Sequence, residues 1–281
     1  MIKMKQFIVA VTTFTMFYEL SARENTLTNN NKIFDSELHY SLYVPDGTER
    51  IISRTVYLDQ LHGFWLAQCI ANWTGLITEM DKIEAPFYTD ENWGDPDQKN
   101  IWGNFVHHAN IIDYFFVYND KPWGADDDTD IEYMYQHLLD INNTSMLNGE
   151  QIKNGWLHHI YSNEDAPGGE NFLWVSNETA YYLMRGGLLP PTTSEPEHNS
   201  NYEMIDAQLT TEIFGLFAPT RPDIALRMAH LPIRTTAKNN AEWISEFYVI
   251  MYSLAADIDI ELSMKEKAFW LAQNARKRLP D

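Results

Sequence analysis

The chain has 281 residues, of which 44% are hydrophobic, and this is enough apolar material to form a sizeable core. Asp and Glu number 40 against 20 Lys and Arg, and the resulting formal net charge of -20 argues against partners such as nucleic acid or anionic lipid. The single cysteine, Cys69, excludes an intrachain disulfide and is expected to be a small core residue.

Residues 1–22 have the pattern of a secretory signal peptide. Lys3 and Lys5 precede the apolar run FIVAVTTFTMFY, and the small residue Ala22 follows it. The run is too short for an ordinary membrane span, and the alternative is a buried N-terminal strand. We therefore expect a secreted or periplasmic protein with no stable membrane insertion after signal removal. Residues 23–54 then form a polar lead with a short extended arm.

The pattern from about residue 55 onward is helical, and few segments show the period of two that is typical of strands. The first predicted helix spans residues 55–82. Small residues recur along it at every fourth position: Gly63, Ala67, Ala71 and Gly75. Such a stripe lets another helix approach closely, and Glu79 continues the same spacing near the end of that face.

Four aspartates then crowd together directly before a second predicted helix: Asp126, Asp127, Asp128 and Asp130. Apolar residues at helical spacing follow them: Ile131, Met134, Tyr135 and Leu138. One interpretation is a solvated helix start, because a helix dipole favours each nearby carboxylate by roughly 0.3–1 kcal/mol. The other is a metal site, because Mg²⁺ prefers oxygen ligands and usually keeps several waters. The residues alone leave both interpretations open.

The rest of the chain is predicted to alternate loops and helices. Residues 84–123 are irregular, and a second long loop over residues 162–202 is interrupted by a short helix at 177–185. Helices are predicted over residues 202–218, 219–231, 241–255 and 264–280. Asp206 and Glu212 belong to the first of these, where they could line a cleft, but a solvated face is the expected position. The pairs His107–His108 and His158–His159 are expected to have ordinary polar roles, because helix neighbours point about 100° apart.

Two of these stretches resemble motifs of the ADP-ribosylglycohydrolase family. GFWLAQCIANWTGLITEMD, residues 63–81, is similar to a small-residue helix ending in Gly-Asp-x-x-Gly-x-x-x-Glu, with Asn72 in place of the Asp. DDDTDIEYM, residues 126–134, resembles the family's Thr-Asp-Asp-Thr and the helix after it, with Asp126 in place of the first Thr. The tract 202–256 is similar to the family's middle helices.

The resemblance implies an all-α, orthogonal multi-helix bundle with long loops, formed by a single domain over residues 55–281. It also implies a binuclear Mg²⁺ site and hydrolysis of a glycosidic bond of ADP-ribose or a related small glycoside. Asp126, Asp127 and Asp128 would be metal ligands. Glu79 would be catalytic, and Asn72 and Gly75 would bind substrate.

The sequence departs from the family in one important respect. The family completes its second metal site with a C-terminal Gly-Asp-x-Asp motif, and Asp257-Ile258-Asp259 lacks the preceding Gly. We therefore expect an incomplete second site and a chain that is truncated at its C-terminus. The alternative is a catalytically inactive sugar- or nucleotide-binding protein on the same fold. A helical interaction module, with the aspartates acting only as caps, is the third possibility.

Overall fold

A computed structural model describes residues 51–76, 127–169, 171, 173–258 and 261–279. Side chains of the first helix are described as far as Asn72. The helices are α1 Arg54–Leu76, α2 Asp127–Asn142, α3 Gly149–His159, α4 Val175–Arg185, α5 Asp206–Thr210, α6 Ile213–Phe217, α7 Pro222–Ile233, α8 Asn240–Ala255 and α9 Met264–Arg276. A 3-10 turn covers Thr192–Ser194. The described residues contain no strand, and the all-α prediction is confirmed.

The described residues belong to two compact units. Residues 67–76, the second half of α1, fall in one unit, and residues 51–66 together with 127–279 fall in the other. No helix within these ranges is both long enough and apolar enough to cross a membrane. The predicted signal peptide, extended arm, irregular segment 84–123 and His107–His108 pair lie outside the described residues.

The larger unit is built around the apolar face of α2. Ile131, Met134, Tyr135 and Leu138 are all buried, as their helical spacing predicted. Tyr135 and Trp156 of α3 are fully enclosed, and the indole Nε1 of Trp156 donates to the Tyr135 hydroxyl at 3.2 Å. Satisfying both polar tips allows two large rings to be buried together.

The first half of α1 is anchored to this core by aromatic side chains. The Tyr57 hydroxyl donates to the backbone carbonyl of Leu216, and the ring of Phe64 lies 5.2 Å from Trp65 and 5.3 Å from Tyr252 of α8.

The predicted small-residue stripe of α1 begins at Gly63. Gly63 is exposed, and no described residue lies within 4 Å of a Cβ built there, so the described part of the chain shows no close helix packing at this position.

Helix α3 was not predicted, although the sequence contains a signal for it. Asn148 accepts from the Gln151 amide at 2.9 Å, and the Gln151 side chain accepts from the Asn148 amide at 2.9 Å. This reciprocal pair is a capping box, which satisfies two amides that a helix start otherwise leaves unpaired. The Asn-x-x-Gln spacing could therefore have identified the helix.

The single helix predicted over residues 202–218 is wrong, because the chain breaks into α5 and α6. The hydroxyls of Thr210 and Thr211 donate to the carbonyls of Asp206 and Ala207, at 3.0 and 2.6 Å. The amide of Ile213 donates to the carboxylate of Glu132 on α2, at 3.0 Å, and not within its own helix. Side chains thus replace the helical hydrogen bonds at the break.

Helices α6 and α8 approach each other very closely at Gly215. A Cβ placed there would lie 2.4 Å from the carbonyl oxygen of Val249 and 2.8 Å from the amide nitrogen of Ser253. Only a residue without a side chain fits this contact between two backbones. The α6–α8 interface is therefore among the tightest places in the described part of the chain.

Candidate functional site

The predicted metal ligands lie at the first turn of α2. Asp127 and Asp128 are half-buried, Thr129 is buried and Asp130 is exposed. The amides at a helix start are oriented toward negative groups, which stabilises the adjacent carboxylates. Because the body of α2 is held in the core, this end of the helix is a firmly supported position for two acidic side chains. Asp126 lies outside the described residues.

The donor atoms at this position fit the chemistry of Mg²⁺. Two adjacent carboxylates offer hard oxygen ligands, and Mg²⁺ commonly binds through one or two carboxylates while keeping several waters. Among the residues that the structure describes, no group of three or more His, Cys, Asp or Glu side chains is arranged to hold a metal. Asp127 and Asp128 therefore make up the described part of the predicted site.

The other predicted site residues belong to the end of α1. Asn72 is half-buried, and Gly75 is within the helix. Glu79, the predicted catalytic residue, lies outside the described residues. Asn72 belongs to the smaller unit, whereas Asp127 and Asp128 belong to the larger one. The predicted roles of Asn72, Gly75 and Glu79 stay predictions.

A second pair of acids lies deeper in the protein, and this pair was not predicted. Glu132 of α2 is 0% exposed, and Glu212, directly before α6, is 7% exposed. Glu132 accepts the Ile213 amide, which places its carboxylate beside the backbone of Glu212. The expectation of a solvated Glu212 is therefore wrong. The one sequence signal is Glu132 itself, which follows Asp128 by four residues and lies on the apolar face of its helix.

The surroundings of Glu212 favour its uncharged form. Burial raises the pKa of Glu212 to about 7, although the amides of Glu212 and Thr211 act in the opposite direction. Tyr252 of α8 lies near both acids, and its pKa is raised by burial first and then by the charges of Glu212 and Glu132. Two carboxyl groups and a phenol thus meet where α2, α6 and α8 pack together.

Asp206, the other acid expected on a solvated face, is also buried. Its carboxylate accepts from the backbone amides of Ser176 at 2.9 Å and Asn177 at 3.2 Å, and from the Ser176 hydroxyl. These amides belong to the first turn of α4, whose own N-cap position, Trp174, makes no side-chain capping bond. Asp206 therefore serves as a capping group that comes from another part of the chain.

The histidine pair at the end of α3, for which either a surface or a core polar role was expected, is on the surface. His158 and His159 are exposed, and the ring of half-buried His137 lies 5.2 Å from that of His159. Partial desolvation of the ring lowers the pKa of His159, and neighbouring His137 and His158 lower it further. These contacts join α2 and α3 at the ends away from Asp127 and Asp128.

Comparison of the chain with known proteins identifies no relative. No family model, no curated protein and no solved structure matches it.

Proposed function

We propose that the chain is a Mg²⁺-dependent hydrolase that cleaves a glycosidic bond of ADP-ribose or a related small glycoside. The observation that best supports the proposal is the position of Asp127 and Asp128. They are adjacent, half-buried and in the first turn of a helix that is anchored in the core. This is where the resemblance of DDDTDIEYM to the Thr-Asp-Asp-Thr motif places the metal ligands.

The chain would contribute a fixed set of oxygen ligands and a negative field. Asp127 and Asp128 would hold the metal, which supplies an activated water and a clamp for ribose hydroxyls. Carboxylates held at the site also favour an oxocarbenium-like transition state at the anomeric carbon. Under the same proposal Glu79 orients or deprotonates the attacking water, and Asn72 and Gly75 contact the substrate.

The test is a hydrolysis assay on substrates that carry ADP-ribose in N- and O-glycosidic linkage, with release of ADP-ribose as the measured product. We expect turnover that requires Mg²⁺, stops with a chelator and is lost in Asp127→Asn. Asp130→Asn is the matched control, because Asp130 is an exposed acid in the same helical turn and should retain turnover.

Other outcomes of this assay lead to different conclusions. Binding of ADP-ribose without turnover would favour the catalytically inactive binding protein. If the chain neither binds nor hydrolyses any of these compounds, the aspartates are ordinary helix caps and the proposal fails. Equal loss of turnover in Asp127→Asn and Asp130→Asn would show that general charge, and not a specific ligand, is responsible.

A further inference from the structure

The Glu212 carboxyl occupies a place that is poorly suited to a charge. It is 7% exposed, and within the described part of the chain its Oε2 atom has no hydrogen-bond partner. The amides of Thr211 and Glu212 favour the ionised form, but burial with one oxygen unpartnered costs an ionised carboxylate more than it costs an uncharged carboxyl group. The geometry alone therefore favours a proton on Glu212 while this part of the protein stays closed.

Within the described part of the chain, the groups shown to lie beside Glu212 carry no positive charge. Glu132 approaches from α2 and would oppose a negative charge on Glu212, whereas Tyr252 of α8 is an uncharged phenol whose raised pKa keeps it protonated. Helix α7 also packs on α6, but its titratable residues are exposed: Asp223, Arg227 and His230. The acid of α5, Asp206, is hydrogen-bonded to the first turn of α4.

The surrounding backbone leaves little room for water to enter. Helices α6 and α8 approach so closely at Gly215 that even a methyl group would meet the backbone of Val249 and Ser253. A newly formed carboxylate needs water or a cation, and loosening this contact, which includes Tyr252 beside Glu212, would admit either of them.

We propose that Glu212 is a pH-sensitive switch for the contact between α6 and α8, which is closed when the carboxyl carries its proton and loosens when the proton is lost. This inference concerns the core of the larger unit and does not depend on the proposed hydrolase activity.

The direction of the pH effect follows from the two ionisation states. The pKa of Glu212 is raised from 4.5 to about 7 in the folded chain. The folded state then binds the proton more tightly than the unfolded state does. The stability that this proton confers is fully present below about pH 4.5 and is lost as the pH rises through about 7. The switch therefore opens toward mildly alkaline pH.

The experiment compares denaturant unfolding of the full chain with that of Glu212→Gln between about pH 5 and pH 8. Relative to the variant, the unfolding equilibrium constant of the wild type should rise on the order of 100-fold across this window. Glu197→Gln is the matched control, because it makes the same chemical change at an exposed position and should follow the wild type.

Local opening is measured by hydrogen exchange of the α6 amides, corrected for the intrinsic effect of pH on exchange. We expect the amides of Phe214 and Gly215 to lose protection toward pH 8 in the wild type and to keep it in Glu212→Gln. A constant difference between wild type and variant at every pH would overturn the proposal, since it would indicate a purely structural role.

A measurement on the wild type keeps the test valid if Glu212→Gln does not fold. Carbon NMR of the glutamate-labelled chain should show a carboxyl group that titrates near pH 7 together with the amide shifts of Phe214 and Gly215. If no glutamate carboxyl titrates together with those amides, the proposal is wrong.

Discussion

The acids at the start of α2 and those at its buried face all carry a carboxyl group, but they differ in burial and in their spacing along the chain. Asp127 and Asp128 are half-buried at a helix end, whereas Glu132, four residues after Asp128, is fully enclosed and meets the chain beside Glu212. The first pair is clustered in sequence, and the second is 80 positions apart. Clustering in the sequence therefore identifies the acids at the helix start, which the helix dipole stabilises, and misses the buried pair.

The comparison shows that the environment of an acid determines what it can do. A partly solvated carboxylate at a helix start is stabilised by the helix dipole, and under our proposal Asp127 and Asp128 bind a cation there. A carboxyl group enclosed by three helices can bind an amide, as Glu132 does, or hold a proton, as we infer for Glu212. The first role concerns ligands, and the second concerns the stability of the fold.

The largest expected effect comes from adding a methyl group at Gly215, in the contact between α6 and α8 near the buried acids. Gly215→Ala should destabilise the folded chain by about 3 kcal/mol, because the added methyl group meets the α8 backbone and cannot be relieved by a side-chain movement. Thermal unfolding measures this. Gly63→Ala is the control, since no described residue lies within 4 Å of the added methyl group and alanine should stabilise the helix by roughly 0.5–1 kcal/mol. If both variants changed the stability by a similarly small amount, the α6–α8 contact would have room for a methyl group at Gly215.

The next effect separates the two pairs of acids by function. Asp128→Asn should lower hydrolysis on the order of 100-fold by weakening the ligand set, with unfolding free energy changed by no more than about 1 kcal/mol. Steady-state assays at saturating Mg²⁺ and denaturant titration measure the two quantities. A large loss of stability with unchanged activity would show that Asp128 stabilises the fold and does not serve as a metal ligand.

A smaller effect is expected from the hydrogen bond at the break between α5 and α6. Glu132→Leu removes the acceptor of the Ile213 amide and should cost about 2 kcal/mol, because a buried N–H is left unpaired. Glu132→Gln keeps an acceptor oxygen at nearly the same position and should cost clearly less. Denaturant midpoints of the two variants provide the measurement. Similar losses would show that the charge of Glu132, and not its hydrogen bond, is important.

The smallest effect concerns the cap on α4. Asp206→Asn keeps an acceptor oxygen but removes its charge, so we expect a loss of about 1 kcal/mol. The far-ultraviolet circular dichroism melt and the exchange rates of the Ser176 and Asn177 amides measure this change. Unchanged exchange at those two amides would contradict the capping role.

Local pattern was sufficient for much of the fold. The apolar spacing from Ile131 to Leu138 predicted α2 and its buried face, and the helix predicted over residues 219–231 corresponds to α7, Pro222–Ile233. The short helix predicted at 177–185 corresponds to α4, Val175–Arg185. These features depend on residues close together in the chain, which is the range over which periodicity and capping act.

Long-range contacts account for what the sequence did not predict. The break between α5 and α6 depends partly on Glu132, which is 81 residues from Ile213, so its local pattern resembles one continuous helix. Burial of Glu212 depends on α2 and α8 together. The aspartates were predicted to lie around the start of α2, which begins at Asp127. The proposed roles of Asn72, Gly75 and Glu79 come from the family resemblance alone.

The cap that Asp206 provides for α4 also bears on how the chain folds as it is made. Ser176 precedes Asp206 by 30 residues, so a ribosome must add those residues before the cap is available. At about 5–20 residues per second this takes roughly 2–6 s. During that interval the first amides of α4 can bond only to water or to temporary partners. The start of α4 is therefore stabilised by its cap only after α5 has been synthesised.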